Sequence, residues 1–176
     1  MHHHSSECLP VAVLSKKIHD SEIRSSVNFV PRKIEATNAC FLYQDSKDFD
    51  AGEFLSERCL DFICCNAGEV FKYDNIKVFT QASLLEIVNQ DHLNCESESA
   101  VYGACFKWAE LQCPSSNLPV SSERIRELLG PVLYAIRFPL MGVDTLSWVI
   151  GNNWVLSPEE KGHLFTYASP RRFTTI

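Results

Sequence analysis

Eight cysteines and six histidines are the residues of this 176-residue chain best suited to chemistry. Cys40 or Cys59 beside His92 or His163 would make the thiol–imidazole couple of a small cysteine hydrolase, with the imidazole taking the thiol proton. Such a couple also needs a site for the oxyanion, and neither a glycine-rich loop nor a nucleophile elbow accompanies these residues. Cys64, Cys65, Cys95, Cys105 and Cys113 lie close together in sequence and raise the question of a metal site. Structural zinc sites take ligands in spaced pairs such as C-x-x-C. No such pair occurs here, and the adjacent Cys64 and Cys65 diverge by about 100° on a helix. The expected lists of catalytic and metal-binding residues are therefore both empty, and no cofactor is implied.

Cysteine usage also bears on compartment. A disulfide framework suits a secreted chain, but Met1–Pro10 is rich in His and Ser and has no signal-peptide pattern. Buried free thiols of a cytoplasmic protein are the expectation. His2–His4 are set aside as native sequence or tag. Net charge is −6 and the isoelectric point is near 5.5, so no basic stripe offers itself to a nucleic acid. No apolar run approaches the ~18 residues of a membrane span. With 45% hydrophobic and 22% charged residues, the chain has the composition of one ordinary globular domain. The acidic front half (Glu22, Glu35, Asp45, Asp48, Asp50) reads as a solvated face.

Two further residue types could make contacts. Arg137 is the one charge in the stretch 128–141, LLGPVLYAIRFPLM. It is expected to pair within the domain, with Glu98 or Glu110, and to lay its stem on Trp108. Of the three tryptophans, Trp108 should be core, whereas Trp154, following Gly-Asn-Asn, is the candidate exposed contact.

The elements that must hold these residues are helical throughout. In the 128–141 stretch, Gly130–Pro131 opens a short helix, Val132, Leu133, Ala135 and Ile136 supply its apolar stripe, and Pro139 ends it in an extended corner. Helices are predicted over 36–44, with Thr37 as cap, and over 53–65, opened by an Asp50–Glu53 capping box. Cys59, Phe62 and Ile63 should point inward. A turn near Val70, a helix over 83–89, and a longest helix over 96–112 follow. Then come a helix capped by Ser121 or Ser122, one over 143–150 broken at Gly151, and one opened by Ser157-Pro-Glu-Glu160. Ile23, Val27 and Val30 suggest a short helix in a loosely ordered lead. No stretch alternates with a period of two. The fold class is all-α: about eight short helices in antiparallel pairs, with a lead at 1–33, a helical domain at 34–169 and a tail at 170–176.

The ordered succession ATNACFLYQ…FLSERCLDFI, LLEIVNQDHLNCESESAVYGACFKWAELQC, RIRELLGPVLYAIRFPLM and VLSPEEKGHLF resembles the BACK domain. More narrowly, it is similar to BTB–BACK proteins that end in a PHR domain. The resemblance implies a non-catalytic adaptor, spacing a BTB domain that grips a cullin-3 scaffold from a C-terminal domain that captures the substrate for ubiquitylation. Helices 36–44 and 53–65 resemble the three-box that extends the cullin-binding surface, with Asn38, Leu42, Phe49 and Leu55 shaping its groove. A BTB fold needs on the order of 100 residues, more than the lead before Lys33 offers. A BTB-type dimer is therefore not expected, and half of the cullin surface is missing. A stand-alone helical interaction module without cullin binding is the alternative.

Overall fold

A computed structural model of the chain describes residues 33–48, 53–113, 121–152 and 155–168. The described residues contain nine α-helices and two short 3-10 turns, and no strand among them. The helices are α1 (Ala39–Asp48), α2 (Glu53–Cys65), α3 (Ala67–Val70), α4 (Gln81–Val88), α5 (Glu98–Leu111), α6 (Ser122–Leu129), α7 (Val132–Ala135), α8 (Val143–Asn152) and α9 (Pro158–Ala168). The 3-10 turns span Asp74–Val78 and Phe138–Leu140. The all-α expectation holds.

Small polar residues set where several helices begin. Thr80, Ser97 and Ser121 each turn a side-chain oxygen onto the amide three residues on, starting α4, α5 and α6. Ser97 starts α5 two residues later than its apolar pattern alone suggested. Ser157 and Glu160 form the reciprocal box: Glu160 N donates to Ser157 Oγ at 3.2 Å, and Ser157 N donates to Glu160 Oε2 at 2.6 Å. α1 begins at Ala39 rather than 36, because residues 36–38 form a turn in which the Asn38 side chain accepts from Glu35 N at 2.8 Å. That bond ties the turn together upstream of the helix and does not reach the first amides of α1. α8 runs through Gly151, where a break was expected. Asn152 Nδ2 folds back and donates to the Trp148 carbonyl at 2.9 Å, in the last turn of the helix.

One apolar core joins the helices. Cys59 and Ile63 of α2, Ile87 of α4, Trp108 and Ala109 of α5, Leu129 of α6, and Val132 and Leu133 of α7 are all buried in it. The Trp108 indole N–H donates to the Phe79 carbonyl at 3.0 Å, so the one polar atom of that ring is satisfied inside. Tyr43 meets Phe79 edge-on, but its buried hydroxyl has no hydrogen-bond partner. Burial, with the Glu86 carboxylate beside it, pushes that hydroxyl above its usual range.

The 128–141 stretch departs from expectation at its corner. Ile136 and Arg137 leave the helical region, as anticipated, but residues 138–140 coil into a 3-10 turn instead of staying extended. Leu140 N donates to the Arg137 carbonyl at 2.8 Å and Met141 N to the Phe138 carbonyl at 3.0 Å. Pro139 sits in the first turn, where its missing N–H costs nothing, so it starts a turn as well as stopping a helix. Before α7, Gly130 adopts φ +46°, ψ −121°, a conformation open to glycine alone.

Candidate functional site

The thiols do not assemble a reactive centre among the described residues. Cys40, Cys59, Cys64 and Cys105 are buried, whereas His92 and His163 are exposed. Burial is the first cause raising each thiol: Cys40 and Cys105 are pushed up to about 12, Cys59 and Cys64 to about 11. A thiol held so far above neutrality stays protonated and is a poor nucleophile or ligand. Among the described residues no three His, Cys, Asp or Glu side chains gather as a metal set would.

A cleft of about 260 Å3 opens between α3 and α5, lined by Phe71, Cys95, Ala100 and Gly103 with Lys72 and Lys107 at its edge. Its lysines are already engaged. Lys72 Nζ lies 2.7 Å from Glu69, and Lys107 Nζ lies 2.7 Å from Asp74. Glu96 also lines it, so beside the engaged lysines the mostly apolar lining offers one carboxylate, short of the several convergent polar groups that orient a small molecule.

Of the residues expected to meet a protein partner, Leu42 and Leu55 lie on the first two helices and Asn38 just before them. α1 and α2 share the most extensive helix-to-helix contact among the described elements. Leu42 on α1 and Leu55 on α2 are half-buried and packed against the core. Asn38 stands at the start of α1 with its side chain occupied by the Glu35 amide. Phe49 and Trp154 lie outside the described residues, as do the Asp50 cap, the lead helix and the tail. Two phenylalanines that sequence reasoning passed over adjoin these leucines: Phe41 is 43% exposed and Phe54 68% exposed, with the Arg58 guanidinium 5.6 Å from the Phe54 ring centre. Periodicity carried the signal for Phe41. If Ala39, Cys40, Tyr43 and Gln44 face inward, position 41 must face out. Trp148 likewise stands opposite Leu146, Val149 and Ile150 on α8 and is exposed.

Arg137 is held within the domain, though not by the partners expected. Its guanidinium donates to the Gln90 carbonyl at 3.2 Å and, more loosely, to the exposed Asp91 at 3.4 Å. Glu98 instead accepts the Arg137 backbone N–H at 2.7 Å. That amide is freed because residues 136–137 leave the helix, and a carboxylate in the first turn of α5 is positioned to take it. Trp108 is core, as expected. No helix among the described residues is long and apolar enough to cross a membrane.

Comparison with known proteins gives a consistent picture. The model of the BACK family, "BTB And C-terminal Kelch", matches residues 42–150. BTB/POZ domain-containing protein 6 of Mus musculus is 31% identical over 144 residues, covering 82% of this chain and 26% of that protein. BTB/POZ domain-containing protein 3 of Homo sapiens is also 31% identical over 144 residues, covering 82% and 27%. BTB/POZ domain-containing protein 6 of Xenopus laevis is 30% identical over the same length and shares. The chain thus spans about a quarter of the length of the curated relatives it matches. No solved structure matches it significantly.

Proposed function

The chain belongs to the BACK family, and from that premise we propose that it acts as a non-catalytic helical adaptor whose α1–α2 pair contributes to a cullin-3-binding surface. In this reading Asn38, Leu42, Phe49 and Leu55 shape the contact, and the exposed rings of Phe41 and Phe54 extend it. The rest of the domain is a spacer toward a substrate-binding part, in a cytoplasmic ubiquitin-ligase assembly. The proposed partners are proteins; neither a nucleic acid nor a membrane is proposed, and the reading invokes no cofactor.

One observation carries the reading. The family match covers the core of the domain, and at its start two well-packed helices leave large aromatic side chains in solvent. Exposed aromatic rings on a rigid support are characteristic of protein contact points. Against a hydrolase, the four buried thiols are held protonated and the histidines lie at the surface. Trp154 remains a second proposed contact.

A pull-down with a purified cullin-3 N-terminal fragment tests this. Capture at micromolar concentration, weakened by Phe54→Ala, is the expected result. No capture at that concentration favours the stand-alone interaction module. A thiol-directed activity probe that labels Cys40 or Cys59 in the folded chain would reopen the hydrolase.

A further inference from the structure

Arg126 on α6 is the hub of a three-residue clasp. Its Nη1 donates to Glu160 Oε2 at 2.9 Å and its Nη2 to Glu160 Oε1 at 2.8 Å, the two-pronged geometry that arginine makes with a planar anion. Nη1 also donates to the Val155 carbonyl. The Tyr134 hydroxyl, carried by α7, lies between the two charges, 3.1 Å from Arg126 Nη2 and 3.0 Å from Glu160 Oε1, to which it donates. Glu160 in turn accepts the Ser157 amide that opens α9. A single cluster thus ties α6 and α7 to the start of α9.

The Tyr134 side chain is nevertheless open to solvent. The residue is 69% exposed, against 42% for Tyr73, while Tyr102 is half-buried and Tyr43 fully buried. We propose that Tyr134 is a phosphorylation site, and that its phosphate takes Arg126 from Glu160 and loosens α9 from α6 and α7. The donor is ATP on a tyrosine kinase. The Tyr134 oxygen bonds to the γ-phosphorus, the bond from that phosphorus to the β–γ bridging oxygen breaks, ADP leaves, and the phenolic proton passes to the kinase base.

The chemistry of the clasp then reverses. The unmodified oxygen carries a proton that it gives to Glu160; the esterified oxygen carries none. In its place stands a group of about −1.5 to −2 charge at neutral pH, with three strong acceptors. It adjoins a carboxylate and a guanidinium. The carboxylate is repelled, and the guanidinium fits a phosphate as well as it fits a carboxylate. Glu160 loses both side-chain donors, and the box that opens α9 weakens with it. This inference is independent of the cullin reading.

The test uses the full chain, treated with ATP and a broad-specificity tyrosine kinase, with phosphate mapped by mass spectrometry and backbone amide exchange followed before and after. Phosphate is expected on Tyr134 ahead of the other four tyrosines, Tyr43, Tyr73, Tyr102 and Tyr167. Amides of 158–168 should then exchange about tenfold faster while those of 98–111 hold their rates. Tyr134→Phe, which keeps the ring, should remove that phosphate and, after the same treatment, leave α9 exchange within about twofold of the untreated parent. A chain with phosphotyrosine placed at position 134 during translation frees the second measurement from the choice of kinase. First incorporation at any of those four overturns the proposal. So does unchanged α9 exchange in the chain carrying phosphotyrosine.

Discussion

Replacing Gly130 by alanine probes the joint between α6 and α7 at its least forgiving point. The residue closes α6, its N–H donating to the Arg126 carbonyl at 2.9 Å, and it does so at φ +46°, ψ −121°. A side chain in that region costs roughly 1–3 kcal/mol in backbone strain alone. Space adds a second cost. A Cβ built on Gly130 would stand 2.8 Å from Gln81 Nε2, which donates to the Leu128 carbonyl at 2.8 Å. The Gln81 side chain can swing away, but it then gives up that bond, worth about 0.5–1.5 kcal/mol. Gly130→Ala should therefore lower unfolding free energy by about 1.5–4.5 kcal/mol, the sum of the two costs. Urea titration followed by circular dichroism reads this as a fall in midpoint with an unchanged slope. Gln81→Ala separates the parts, because in its background only the strain should remain and the Gly130→Ala penalty should shrink by about 1 kcal/mol. A Gly130→Ala chain within about 0.5 kcal/mol of the parent, the scatter of an ordinary surface change, would refute the strained joint. An equal penalty in both backgrounds would refute the contact with Gln81.

Four further outcomes follow from the geometry. Trp108→Phe removes the donor to the Phe79 carbonyl and leaves a void, so it should destabilise by about 2–4 kcal/mol in the same urea assay. Tyr43→Phe should be neutral or mildly stabilising, because it deletes a buried hydroxyl without a partner; a loss above about 1 kcal/mol would mean the hydroxyl is bonded in solution. The Arg126 guanidinium holds the Glu160 carboxyl down to about 2, so the clasp contributes fully above the ordinary carboxylate value and is lost as pH falls toward 2. The urea midpoint should drop across that window, and Arg126→Gln should flatten the drop. Among the described cysteines, Cys65 is exposed and should react with a thiol reagent in the folded chain, whereas Cys40, Cys59, Cys64 and Cys105 should wait for unfolding; prompt labelling of Cys40 would contradict its burial.

Much of the fold could be read from the chain because its helices announce themselves locally. Ser121, Ser157 and Glu160 are caps whose chemistry acts within one turn, and Cys59, Ile63, Val101, Cys105 and Trp108 follow a period that a single helix face imposes. The misses came where a distant group decided the matter. Nothing near Arg137 says that its amide belongs to Glu98, or its guanidinium to the Gln90 carbonyl, 47 residues away in sequence. The 3-10 turn at 138–140 required reading Pro139 as a start as well as a stop. The pairing of Arg126 with Glu160 joins residues 34 apart, and Tyr134 completes it from a third helix. The candidate partner surface was legible only in part. Leu42 and Leu55 are half-buried against the core, and the exposed Phe41 and Phe54 beside them could have been found by asking which positions the helical period turns outward.

The proposed partner surface on α1 and α2 is tested most directly by amide exchange on the chain alone and in the presence of the cullin-3 N-terminal fragment. The account expects slowed exchange confined to residues 39–48 and 53–65, and its loss in Phe54→Ala. Protection that appears over α8 and α9 instead, or an exchange pattern that the fragment leaves untouched at micromolar concentration, would contradict it.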